Sequence, residues 1–433
     1  MYQSAIGMQL INAVNAHEGK SRTARQFFDE VYAPLFFGSP RFLQFVNNCP
    51  FDQKVTKQKQ PLTPELYEEC LNALHQNVQT KPPDASFYIG GAASGATETT
   101  SGQVTGMRIP IPQDEVYASW IGAAAGAMVA GGWTIAIPET EVLLEIYRGW
   151  AEYRRWLDQT SSAKPCQVNT WNGQWLRHRL GQYRNDPIAL ETSADGEGLK
   201  LETLDWVQLM FALAYNFRER PKTVIPAYIY NLGQSNTTVG FIQLNLPQVR
   251  RPFQLFQQLY SVPEGLPANA FERLYNTERG LEAACRFGEI GLRAIQPKDV
   301  FKSKSDIPKL PDATSPERRL AFDTYQTWII AMLNNTNLQN TAKELATALH
   351  QFEATGQRGT SAYRAMVGEL LKAKNRREFI EKLTEVLEKQ PETCSLFETT
   401  VAELLNMTVD NTTLFFTLVR FQYAVVAAKG DKN

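Results

Sequence analysis

At 433 residues the chain is too long for one compact core, and its 43% hydrophobic and 11% aromatic content excludes wholesale disorder. Lys and Arg number 44 against 45 Asp and Glu, a formal net charge of −1. That balance gives no global drive toward nucleic acid or an anionic membrane, so any role on a polyanion must come from local patches.

Five cysteines (49, 70, 166, 285 and 394) are odd in number and never spaced C-x-x-C, which predicts reduced thiols in a cytoplasmic protein rather than a disulfide frame or a zinc site. The first twenty residues lack the basic start and apolar run of a signal peptide. From Phe27 to Val46, aromatic residues recur at spacings of three and four (Phe27, Phe28, Tyr32, Phe36, Phe37, Phe42, Phe45), predicting helix faces aimed at a core. Pro61 to Leu74 reads as a further helix, with Thr63-Pro64-Glu65 as cap and first turn.

Two β-favouring runs, Ser86–Ile89 and Gln103–Ile111, flank a loop rich in Gly and Thr, so a hairpin with a long tip from Gly90 to Gly102 is expected. Small residues at such a tip let backbone amides approach a polyanion, although a plain loop accounts for the same letters and the Walker ending is missing. Val116 to Pro138 runs 23 residues without a charge and contains Gly122-x-x-x-Gly126. It is long enough for a membrane span, but its Ala and Gly content, broken by Gly131-Gly132, favours a small-residue helix in a core followed by a strand at Trp133–Ile137.

From Glu139 a helix runs through Val142, Ile146, Trp150, Tyr153 and Trp156. Between Arg148 and Asn185 stand seven basic residues (Arg148, Arg154, Arg155, Lys164, Arg177, Arg179, Arg184) against Glu152 and Asp158, interleaved with Trp150, Trp156, Trp171, Trp175 and Tyr183. Guanidinium groups among aromatics suit phosphate contact and base stacking; core tryptophans under a solvated basic face give the same pattern. The next stretch, Asp186 to Asp205, reverses sign, with six acidic residues.

Leu204–Phe217 reads as a buried helix. Thr223–Tyr230 and Thr238–Leu246 then form the clearest hairpin, its polar tip carrying Gln234 and Asn236, whose amides could read base edges or simply favour the turn. Arg250 and Arg251 add positive charge beyond it, and Phe253–Leu259 and Phe271–Leu292 read as helices.

Residues 302–316 combine three prolines with alternating charge and no apolar period, the composition of a linker. After it comes a run of about six short helices opened by Ser315-Pro316-Glu317, with a capping-box pattern at Thr341–Glu344 and a cap at Asn375. Arg364, Lys372, Lys374, Arg376 and Arg377 contribute to a modest basic stripe, either a salt-bridged face or a phosphate track. The fold class expected is therefore α+β: a mixed α/β N-terminal body with β-hairpins (1–301), a linker (302–316) and an all-α C-terminal helical bundle (317–433). No H-E-x-x-H, G-x-S-x-G or Walker lysine occurs, and the four histidines have no ligand spacing, so neither catalysis nor a metal or cofactor is expected.

This layout, with the phrases SPERRLAFDTYQTWIIAML, FIEKLTEVL and LVRFQYAVV, resembles the large subunit of a type I CRISPR effector (Cascade), in the divergent I-A, I-B or myxobacterial-type branch. The resemblance implies a subunit that works with CRISPR RNA, target double-stranded DNA, the backbone, handle-binding and small subunits, and a helicase-nuclease or transposition apparatus, without a membrane. It implies that the body reads the protospacer-adjacent motif and that the bundle supports the displaced strand of the R-loop. Candidates carried by it are Gly90, Gly91 and Gly95 for a glycine loop, and Gln234 with Asn236 for a wedge. Candidates for backbone contact are Arg154, Arg155, Arg177, Arg179, Arg250, Arg251, Lys372, Lys374, Arg376 and Arg377. Competing readings are a phosphometabolite-binding enzyme using the Gly90–Gly102 loop and a structural or membrane-associated scaffold.

Overall fold

A computed structural model describes residues 2–81, 83, 86–90, 111–220, 223–231, 237–263, 265–266, 270–275, 280–298, 308–312, 314–335, 337–355 and 360–430. The architecture is α+β, with a mixed five-stranded sheet in the N-terminal half and helices in the C-terminal region. Two compact units divide the chain: Met1–Pro247 with Arg279–Gly291, and Gln248–Glu278 with Leu292–Asn433.

The first unit opens with α1 (Tyr2–Glu18). Helix α2 (Ala24–Phe27) is started by a complete capping box, in which Thr23 accepts from the Gln26 amide and Gln26 accepts in return from the Thr23 amide. It continues through a π-helical turn, Phe28–Tyr32, into α3 (Ala33–Phe37). Phe28, Tyr32 and Phe36 follow one another on one face, with ring centroids 5.1 and 4.0 Å apart. Their rings meet Trp120 and Trp150, and this aromatic knot is fully buried. The expected helical face ends earlier than the spacing suggests. Residues 38–49 are irregular, Phe42 and Val46 turn inward, and Phe45 is 43% exposed. Helix α4 (Pro64–Thr80) carries the expected cap, Thr63 accepting from the Leu66 amide.

Helix α5 (Gln113–Ala124) is the small-residue helix expected from Val116 onward, buried over most of its length. It lies against α1 at glycine-to-backbone distance: a Cβ added to Gly7 would fall 1.9 Å from the Ala118 carbonyl oxygen, and one added to Gly122 would fall 1.8 Å from that of Gln3. No helix among the described residues is long and apolar enough to cross a membrane. Strands β1 (Ala127–Val129) and β2 (Trp133–Ala136) are joined through Gly131 and Gly132, both at positive φ, where a glycine is favoured. Helices α6 (Thr140–Gln159) and α7 (Val168–Leu180) follow, then a small hairpin, β3 (Thr192–Asp195) with β4 (Gly198–Leu201). Helix α8 (Trp206–Asn216) is capped by Asp205 and buried, as its apolar run requires.

The hairpin expected at 223–246 forms from β5 (Val224–Asn231) and β6 (Thr237–Asn245). The chain continues through α9 (Leu246–Leu259) and α10 (Ala270–Leu274), then α11 (Leu281–Cys285) and β7 (Glu289–Ile290). The larger sheet runs β1-β2-β5-β6-β7, antiparallel except for β6 with β7. Two expectations are corrected. Phe271–Leu292 is not one helix: Gly288 takes φ +81° and the chain enters the sheet at β7, where burying Ile290 outweighs helical continuity. Ser86–Ile89 is a turn rather than a strand, tied to α5 by the Ile89 amide donating to Ser119 and the Trp120 indole donating to the Phe87 carbonyl. Residues 91–110, the remainder of that expected hairpin, lie outside the described residues.

The second unit contains α12 (Pro316–Leu333), α13 (Asn337–Thr355), α14 (Thr360–Lys372), α15 (Arg376–Leu387), α16 (Cys394–Asn406) and α17 (Val409–Gly430). Helix α17 packs against α12 and α13, with Phe421 meeting Phe322 at 4.6 Å and Phe416 stacked on Phe379 at 4.3 Å. Arg420, buried on α17, donates to the carbonyls of Leu371 and Ala373 and so satisfies the C-terminal end of α14. The capping-box letters at Thr341 do not start a helix. They lie one turn inside α13, where the Thr341 hydroxyl donates back to the Asn337 carbonyl. Packing groups residues 248–278 and those from Leu292 on with these helices: Phe256, Phe271 and Tyr275 stack in series, α10 meets α12, and the Trp328 indole donates to the Leu292 carbonyl. Of the linker stretch, 302–307 and 313 lie outside the described residues.

Candidate nucleic-acid interface

Helices α6 and α7 carry the densest basic and aromatic segment, and both are fixed from below. On α6, Val142, Ile146, Trp150, Tyr153 and Leu157 are buried, which leaves the charged residues on the remaining face. Arg41 holds the end of α6 by donating to the carbonyls of Leu157, Thr160 and Ala163. On α7, the amides of Asn169 and Asn172 donate to Gly126 and to the terminal carbonyls of α5, while Gln174 donates to the carbonyls of Glu191 and Glu202. These side chains satisfy the orphan carbonyls of a helix end and set α7 at a fixed height against its neighbours.

The two helices meet at Gly149. A Cβ there would stand 2.6 Å from the Trp175 ring, so the indole lies directly on the α6 backbone and donates to the Glu145 carbonyl at 2.8 Å. Tyr153, Trp171 and Trp175 form a stacked row, 5.2 and 5.9 Å between successive centroids, and Trp156 closes against Trp171 at 5.9 Å. Tyr153 and Trp171 are buried in this row and Trp156 and Trp175 are half-buried. The tryptophans therefore pack the helices together first, and only the outer two keep some free surface.

Charge is arranged around one carboxylate. Glu145, its side chain 13% exposed, accepts from Arg148 at 2.6 Å and from Arg179 at 3.5 Å, and the Arg179 guanidinium lies 5.7 Å from the Trp175 ring centroid. Arg148, Arg179 and Arg184 border a cleft of about 540 Å³ together with Glu141, Glu145 and Asn185. Leu144, Leu180 and Asn216 complete its wall. Glu141 pairs with Arg220 and accepts from Asn216 at 3.2 Å, whereas Arg184 is exposed and has no ion pair among the described residues. One shielded acid thus presets two guanidinium groups whose outer N–H groups remain available to an anion.

The other basic candidates serve different ends. Arg154 is held by Asp158 and by the Arg41 carbonyl, and its side chain is 12% exposed. Arg155 pairs with Glu152 at 2.7 Å and Arg177 with Glu191 at 2.6 Å. Lys164 pairs with Asp195 and Glu197 of the β3–β4 hairpin. The acidic stretch after Asp186 therefore folds onto this basic segment and neutralises part of it. Arg250 and Arg251 are half-buried on α9. Lys372 and Lys374 are exposed, Arg377 pairs with Glu381 on open surface, and Arg376 donates to the Met407 carbonyl and to Thr412. Gly90 takes φ +74° and is packed on the Gln3 side chain, 2.6 Å from where a Cβ would stand. Gly91, Gly95, Gln234 and Asn236 lie outside the described residues.

Sequence reasoning did not single out Glu141, Glu145, Asn185 or Asn216. The Glu145–Arg148 spacing was a legible helical pair, but the reach from Arg179 to Glu145 spans two helices and has no local signature. Among the described residues no group of His, Cys, Asp or Glu could hold a metal ion, and the five cysteines are free. No protein-family model, no curated protein and no solved structure matches this chain.

Proposed function

We propose that this chain is the non-catalytic large subunit of a type I CRISPR RNA-guided surveillance complex, which recognises the protospacer-adjacent motif in duplex DNA and stabilises the R-loop. The observation that carries the nucleic-acid reading is the cleft between α6 and α7, where Glu145 presets Arg148 and Arg179 beside Arg184, which has no ion pair among the described residues. Its more specific assignment rests on the resemblance in layout and in the three C-terminal phrases.

In this reading the first unit anchors on the guide RNA and neighbouring subunits, with the glycine loop from Gly90 and the β5–β6 tip beside the motif. The second unit lends exposed Lys372, Lys374 and Arg377 to the displaced strand. A near-zero net charge fits a subunit whose affinity is supplied largely by the ribonucleoprotein around it. Co-expression with the neighbouring genes, followed by purification, is the test. A discrete RNA co-purifying with the chain supports the proposal, and a stable assembly without RNA, or no assembly, removes it.

A further inference from the structure

We infer that the cleft between α6 and α7 holds a single nucleotide of one strand, its phosphate on Arg148, Arg179 and Arg184 and its base edge against Asn185, Asn216 and Glu141. This rests on the reading that the chain handles nucleic acid, and narrows it from a backbone track to a one-nucleotide pocket.

Charge sets the stoichiometry. The lining carries three guanidinium groups, of which Arg148 and Arg179 share Glu145, while the second carboxylate, Glu141, is already paired with Arg220 outside the lining, so Arg184 is the guanidinium of the lining left for one phosphodiester. A second phosphate of a continuous track would approach Glu141 or Glu145, and like charges in a half-enclosed cleft repel. Volume agrees, since about 540 Å³ falls within the range of small-ligand clefts, roughly 300–1,000 Å³. The lining chemistry is also divided as a nucleotide is: guanidinium groups for the phosphate, Leu144 and Leu180 as apolar wall for sugar and base, and two carboxamides for a base edge. Because Glu141 accepts and cannot donate, a base that offers an N–H is favoured over one that presents only carbonyls there.

The test measures binding of the purified full chain to ten-nucleotide single-stranded RNA and DNA by fluorescence anisotropy across a salt series, with inorganic phosphate as competitor. Arg179→Ala and Arg184→Ala should each weaken binding about tenfold or more, and each should lower the salt slope by roughly 0.7, the increment of one phosphate on a single strand. The double variant should lose no further slope, because both residues serve one phosphate. A loss of roughly 1.4 in the double variant would mean two phosphates and would overturn the pocket in favour of a track. Asn185→Ala, at an exposed position, should leave the unfolding midpoint and slope unchanged while reducing discrimination among bases; unchanged discrimination would remove the base subsite. The RNA and DNA arms identify which strand supplies the nucleotide. Tight strand binding that survives all three substitutions refutes the pocket and leaves the proposed function standing, whereas a chain that neither binds strands nor retains RNA on purification refutes both.

Discussion

Gly122→Ala tests the packing on which the first unit is built. In an isolated helix the change would be favourable by about 0.5–1 kcal/mol, since Gly is the poorer helix former. Here the new Cβ would fall 1.8 Å from the Gln3 carbonyl oxygen, whereas real Cβ contacts stay beyond 3.0 Å. Both sides of the clash are helix backbone, so no rotamer can relieve it and α1 must withdraw from α5 by at least about 1.2 Å. Overpacking of this kind costs about 1–3 kcal/mol, and an immovable carbonyl places the site at the upper end. Thermal unfolding of the first unit should then fall by roughly 6–12 °C, with a lower urea midpoint at unchanged m-value. Gly7→Ala meets the Ala118 carbonyl at 1.9 Å in the same contact, so the double variant should cost less than the two added together. Gly368→Ala is the control of opposite sign: nothing lies within 4 Å of its added methyl, and it should stabilise α14. A Gly122→Ala protein as stable as the parent would refute the close α1–α5 contact. The same contact places Gln3 under Gly90, while Ser119 and Trp120 hold the turn at residues 86–90.

Two further predictions concern residues whose roles the fold reassigns. Arg376→Ala should destabilise the second unit by about 1–3 kcal/mol, because the Met407 carbonyl loses its donor, while Lys372→Ala with Lys374→Ala should stay within about 0.5 kcal/mol of the parent. Equal urea midpoints for the two proteins would return Arg376 to the surface stripe. His75 is buried with Nδ1 2.8 Å from the Tyr117 hydroxyl and Nε2 3.2 Å from Asp29. Burial holds its pKa below the ordinary imidazole range and pushes the Asp29 carboxyl up. With the folded pKa below the unfolded one, this histidine's contribution is complete above about pH 6.5 and is lost as pH falls toward its folded value. The stability advantage of the parent over His75→Gln should therefore shrink between about pH 7 and 5.5, measured by denaturant titration. A constant gap would show that burial leaves the ring's pKa unshifted, and a gap that widens as pH falls would show that the ring is charged in the folded protein; either refutes the reasoning.

How much of this could be read from letters alone follows from the range of each interaction. Local rules located most elements: the Thr63 cap, the Asn375 cap, the apolar period of α6, the buried run of α8 and the β5–β6 pairing all depend on residues a few positions apart. The same rules fell short elsewhere. Thr341 has capping letters but lies inside α13, the chain after Phe271 leaves helix so that Ile290 can join β6, and the stretch 186–205, legible only as a reversal of charge, includes a hairpin that pairs with Lys164.

The candidate site divides along the same line. Composition determined that basic and aromatic residues concentrate between Arg148 and Asn185, because that is a count along the chain. Which of those arginines are engaged by other groups of the fold could not be counted. Only the tertiary structure spends Arg154 on the Arg41 carbonyl and Arg177 on Glu191, while Glu145 holds Arg148 and Arg179 at the cleft. A guanidinium is free or engaged according to what lies within about 4 Å of it, and across two helices that distance is set by packing rather than by sequence separation.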